Sequence, residues 1–124
     1  MTHKEMCIKI WEYLAANGGN FKHIAVETLF DKNFADYLIK LHHGCPACLY
    51  ASIKARKTNK KIKCQVCPVT WGKYHFMNCE SNGTNYSKWC RTGIDDKMTR
   101  IEQARKVLFL IRTTWKEETN AQDE

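Results

Sequence analysis

Near the start of the chain, Cys7, Ile10, Trp11 and Leu14 recur at three- and four-residue steps, the spacing that places side chains on one face of a helix. Asn17-Gly18-Gly19-Asn20 follows where such a helix would stop, so the pattern predicts a helix over about residues 3–16. Phe21, Ile24, Ala25, Thr28 and Leu29 form a second apolar face, and Phe34, Tyr37, Leu38 and Leu41 a third. Asp31-Lys32-Asn33 separates them, which predicts two short helices joined by a tight turn. From Ile94 onward, Met98, Ile101, Ala104, Leu108, Ile111 and Trp115 keep helical spacing, with Asp95 and Asp96 at the end that favours negative charge and Arg112 and Lys116 at the other. Val107, Phe109 and Leu110 lie partly outside this stripe and predict a helix covered on two sides. The polar residues from Glu117 to Glu124 are expected to fray as a tail.

Residues 42–93 break the helical pattern. They hold both prolines and six of the seven cysteines, with too few alternating apolar runs for a large sheet. No internal repeat beyond the cysteine pairs and no Gly/Ser- or Pro-rich linker divides the chain. At 124 residues it is sized for one core, and the expected domain is residues 1–116 with a tail at 117–124. The expected fold class is mainly α, with an irregular zinc-stapled centre of zinc-ribbon or treble-clef-like knuckles packed between N- and C-terminal helices.

Composition sharpens this picture through its distribution. The formal charge of +7, 27% charged and 44% hydrophobic residues argue against disorder. The excess is local: Lys54, Arg56, Lys57, Lys60, Lys61 and Lys63 lie within ten residues that contain no acid, while the segments on either side are nearly neutral. The longest uninterrupted apolar run, Val107 to Ile111, is far shorter than the roughly 20 residues of a membrane span. No secretory apolar block follows Met1, so a reducing cytoplasm is the expected compartment.

In that compartment cysteines favour metal over disulfides. Cys45-Pro46-Ala47-Cys48 and Cys64-Gln65-Val66-Cys67 are two C-x2-C pairs separated by fifteen residues. Two residues between thiolates let one turn aim both sulfurs at one ion, and two such turns complete a tetrahedron with Zn–S distances of about 2.3 Å. Four thiolates leave no open position, which marks a structural Zn2+ site rather than a hydrolytic one. Buried free thiols or two disulfides are the alternative. Cys79 and Cys90 could form a second metal site with His75 or with a histidine from His42-His43, or Cys79 could replace one of the four ligands; otherwise these cysteines are small core side chains. Cys7 sits on the apolar face of the first helix and reads as core, and His42 and His43 read as the end of a helix rather than as ligands.

These residues also carry a resemblance. C-x2-C-x-Tyr at Cys45, Cys48 and Tyr50, then C-x2-C-P-x2-W-G at Cys64, Cys67, Pro68, Trp71 and Gly72, then Cys79 and Tyr86-x2-Trp89 before a final helix resemble a group of small, largely uncharacterised bacteriophage zinc-binding proteins. The resemblance covers about residues 45–115, with Trp11 marking a shared N-terminal helix; Phe21 to Leu41 fits it less well. It implies a phage-encoded zinc protein acting in the bacterial host cytoplasm, as an accessory or host-takeover factor, and it says little about activity.

Between the cysteine pairs, Leu49, Tyr50 and Ile53 predict one or two helical turns before the basic cluster, which Thr58-Asn59 breaks. Such a finger suits phosphates, and if all six charges engaged duplex DNA the slope of log K against log salt would be roughly −5. It is equally the composition of a solvated loop. Only Arg56 among the six is arginine, so bidentate base reading is not expected. Trp71, Tyr74, Phe76, Tyr86 and Trp89 could stack on bases or pack around the knuckles.

The sequence gives no support for an enzyme. Between Cys48 and Cys67 there is no His, Asp or Glu, as an HNH-type nuclease would need, and no phosphate-loop, zincin, serine-hydrolase or zinc-deaminase signature is present. Cys79 with His75 is a weak nucleophilic pair. Three expectations remain. The first is a non-enzymatic protein that binds and inhibits a bacterial host complex, such as a defence or transcription machine. The second is nonspecific DNA or RNA binding through residues 54–63. The third is sequestration of a small anionic nucleotide.

Overall fold

The computed structural model describes residues 1–18, 20–57, 67–72 and 78–116. Within them the chain forms six helices and no strand: α1 (His3–Ala16), α2 (Lys22–Leu29), α3 (Lys32–His42), α4 (Pro46–Lys57), α5 (Asn85–Arg91) and α6 (Lys97–Thr114). None is long and apolar enough to cross a membrane.

Helix starts follow local chemistry. Thr2 caps α1 in a reciprocal box: its hydroxyl accepts from Glu5 N at 3.1 Å, and its own N–H donates to Glu5 Oε1 at 3.1 Å. Asp31, Thr84 and Asp96 accept in the same way at the starts of α3, α5 and α6, satisfying amides that a helix leaves unpaired. α3 ends with His43 in the left-handed region (φ 55) and Gly44 at φ 67. The Gly44 N–H donates back to Leu38 O at 2.9 Å, which closes the last turn and aims the chain at Cys45.

α1 is the central element. It packs on α6 most extensively and also on α4 and α2, while α5 lies on α6. Cys7, Ile10, Trp11 and Leu14 are buried as their spacing predicts, and they meet Ala104, Val107, Leu108 and Ile111 of α6 in one core. The end of α1 approaches α6 so closely that a Cβ on Gly18 would stand 2.6 Å from Ile101 Cγ1 and 2.8 Å from Lys97 O. Arg100 closes the same corner. The residue is 3% exposed, and its guanidinium donates to the carbonyls of Gly18, Asn20, Trp89 and Thr92 at 2.8–3.2 Å, over the face of the Trp89 ring at 4.2 Å.

The fold corrects several expectations. The centre is less irregular than the prolines and cysteines imply: α4 runs twelve residues rather than one or two turns, and α5 occupies a segment with no apolar period. The buried residues of α4 are Pro46, Ala47, Leu49, Ala51 and Ala55; the alanines among them are too small to mark a face in the sequence, so the helix reads as shorter than it is. Phe21, Tyr37 and Leu41, read as core, are exposed, Leu41 to 60%. On α6, Met98 is 78% exposed and the stripe is shifted, with Arg100 and Gln103 inside and Phe109 outside. Val107 is buried and Leu110 partly so, so the second covered side of α6 stops short of Phe109. Residues 117–124, expected to fray, lie outside the described residues.

Candidate metal centre

α4 begins with Pro46, whose fixed φ and missing N–H suit a first helical position, and Cys45 stands immediately before it. Leu49 N donates to Cys45 O at 3.1 Å and Cys45 N donates to His42 O at 2.9 Å, so both sides of the turn are fixed. Around the Cys45 sulfur, on the wall of one cavity, stand Cys48 and Cys7. Led by Cys48, and with the Lys22 ammonium nearby, these neighbours hold the Cys45 thiol well below the ordinary cysteine range, although burial opposes them. Cys7, buried on α1, accepts from Ala47 N–H; burial pushes its thiol well above the usual value, and Cys45 adds to the rise.

Cys67 opens the second described segment of the centre, followed by buried Pro68, Val69 and Trp71. The C-terminal end of α6 clamps this segment: Lys116 N donates to Pro68 O at 2.9 Å and Thr70 N donates to Thr114 Oγ1 at 2.9 Å. Cys79 lies in a turn held by Ser81 Oγ accepting from Asn78 N and by Thr84 Oγ1 donating to Cys79 O at 2.6 Å. Burial pushes the Cys79 thiol up to about 12, with the neighbouring Cys45 adding to the rise.

Cys7, Cys45, Cys48 and Cys79 line one cavity of about 130 Å³ together with Lys22, Trp71 and Tyr86, and Cys67 is electrostatically coupled to both Cys7 and Cys79. The described cysteines are all thiols. Among the described residues no group of three or more His, Cys, Asp or Glu side chains is drawn tightly enough to hold an ion as it stands. In kind, however, the residues fit a thiophilic ion: several sulfurs face one small space, and the buried indole N–H of Trp71 has no acceptor among the described residues. Cys64, the fourth ligand expected from sequence, lies outside the described residues, as does His75. Cys90 is exposed on α5 and does not line the cavity.

Two cavity residues had no signal in the sequence. Lys22, the first residue of α2, donates from Nζ to Tyr86 Oη at 2.7 Å. Burial alone would lower its pKa, but the Tyr86 phenol and the thiols of Cys45 and Cys48 more than offset that and hold it above the usual lysine range. Burial pushes the Tyr86 phenol up to about 12 against the opposing pull of Lys22. Cys7, read as core, is buried in the core as expected and in addition lines the cavity beside Cys45 and Cys48.

Of the basic segment, Lys54, Arg56 and Lys57 form the last turn of α4, with Arg56 and Lys57 exposed; Lys60, Lys61 and Lys63 lie outside the described residues. Trp71, Tyr86 and Trp89 pack with Trp11 in one aromatic group. Trp11 meets Trp89 edge to face at 5.0 Å between ring centroids and Tyr86 at 5.8 Å, and Trp71 lies 6.0 Å from Tyr86. Tyr74 and Phe76 lie outside the described residues. No family model, curated protein or solved structure matches the chain.

Proposed function

We propose that this chain is a non-enzymatic zinc protein that presents a basic helix end to an acidic surface of a bacterial host protein complex and inhibits it. The observation that carries the reading is the convergence of four thiols, Cys7 of α1, Cys45 and Cys48 at the start of α4 and Cys79 of the 78–81 turn, on one cavity at one end of α4, while exposed Arg56 and Lys57 stand at the other. Cys45, Cys48, Cys64 and Cys67 would hold the ion. When bound, Zn2+ supplies a closed thiolate cross-link rather than a reactive water, and it fixes both ends of the segment that carries Lys54, Arg56, Lys57, Lys60, Lys61 and Lys63. The bacterial complex as partner, a defence or transcription machine, is supported by the resemblance to phage zinc proteins.

Metal analysis of the purified chain should return one equivalent of zinc, and Cys64→Ser should release it and lower the melting temperature sharply; a retained equivalent with unchanged melting would overturn the ligand assignment. Affinity capture from nuclease-treated bacterial lysate should retain a protein partner that Lys57→Glu/Lys60→Glu/Lys61→Glu loses. Capture abolished by nuclease, with a mobility shift of bare DNA or RNA at low salt, would move the reading to nucleic-acid binding. A nucleotide bound by the chain alone would move it to ligand sequestration.

A further inference from the structure

Lys22 stands where a lysine is unfavourable. It is the first residue of α2, a position at which the helix dipole opposes a cation, and among the described residues it makes no ion pair with a carboxylate. The acid lining the same cavity, Glu80, is exposed. The lysine is nonetheless held firmly. Its ammonium donates to Tyr86 Oη at 2.7 Å, and Tyr86 is itself packed against Trp11 and Trp71. Its stem runs beside the turn that enters the first cysteine pair, since a Cβ on Gly44 would stand 3.7 Å from Lys22 Cε. The result is a fixed positive charge in a cavity otherwise lined chiefly by Cys7, Cys45, Cys48, Cys79 and aromatic rings.

A divalent ion held by four thiolates retains two net negative charges, and a charge taken from water is costly unless it is paired. We propose that Lys22, oriented by Tyr86, is the built-in counter-cation of the thiolate centre, a positioning residue that strengthens metal binding without ligating the metal. This rests on the reading of Cys45, Cys48, Cys64 and Cys67 as ligands. Neutral packing of the lysine stem would leave metal affinity indifferent to the charge; a counter-cation makes affinity depend on it.

The test is zinc affinity by competition with a chromophoric chelator, on the full chain, for wild type, Lys22→Met and Lys22→Arg. Lys22→Met should bind the same one equivalent about 10- to 100-fold more weakly, the range seen when partners outside the ligand shell are removed, while Lys22→Arg stays within about threefold of wild type because the charge is kept. Equal affinity of Lys22→Met and wild type, or equal weakening by Met and Arg, overturns the role of Lys22 and leaves the ligand reading intact. Absence of zinc from the wild-type chain overturns the ligand reading itself. Should Lys22→Met fail to fold, Tyr86→Phe, which removes only the phenol that orients the ammonium, decides instead: a severalfold loss of affinity supports the proposal, and none overturns it.

Discussion

Arg100 shows how much one side chain can hold. Four backbone carbonyls from two different turns converge on its guanidinium, and no carboxylate takes part in those bonds. Lysine keeps the charge but cannot reach four acceptors in a planar fork, so Arg100→Lys should cost about 2–4 kcal/mol in a denaturant titration; a loss below about 1 kcal/mol would contradict the geometry. Gly18→Ala drives a Cβ into Ile101 and into the backbone of Lys97 and should cost about 1–3 kcal/mol by overpacking. A pH effect belongs at this scale too. Burial holds the His3 imidazole below the ordinary histidine pKa against Tyr50, 5.6 Å away between centroids. The folded chain therefore binds this proton less readily than the unfolded chain, and stability falls as pH drops through the unfolded value of about 6.5. Melting of the wild type should decline more steeply than that of His3→Gln between about pH 7.5 and about pH 5.5; parallel curves would contradict it. None of these three roles was legible in the sequence, because each depends on what a distant segment brings to the residue.

At the scale of elements, legibility followed the size of the buried side chains. α1 and the body of α6 bury large apolar groups at helical spacing, and their pattern is plain. Beyond the turns marked by Leu49, Tyr50 and Ile53, α4 buries only alanines, and α5 buries Trp89 alone, so the length of the one and the existence of the other leave no period. Conversely, Phe21, Tyr37 and Leu41 have the right spacing and face solvent. The first C-x2-C pair, Cys45 and Cys48, was readable because its spacing is local; the approach of Cys7 and Lys22 to it was not, because it is made by tertiary packing. α5 is only seven residues long, too short to persist without its cap and its neighbours. Thr84 both accepts from Ser87 N to start it and donates to Cys79 O. Thr84→Ala should therefore destabilise the chain by about 1 kcal/mol and, in the same protein, loosen the turn that carries Cys79. Unchanged protease sensitivity at residues 78–84 would show that the turn holds without it.

At the scale of the whole molecule, the basic end of α4 is segregated from the core. Arg56 and Lys57 project from the end of α4, while the buried face of that helix belongs to the α1 contact. Arg56→Glu/Lys57→Glu should thus leave stability within about 0.5 kcal/mol of wild type and zinc stoichiometry unchanged, yet abolish partner capture; loss of zinc in this variant would mean that the basic turn and the thiols are one structural unit. The pairing of α1 with α6 has a further consequence, for the order of events during synthesis. Of the described helices, α1 finds its main partner in α6, made long after it, and the clamp on Pro68 and Thr70 comes from the end of that same later helix. Until α6 has emerged, Cys45 and Cys48 stand without the Ile111 wall of their cavity, so closure of the core waits for α6 rather than proceeding segment by segment.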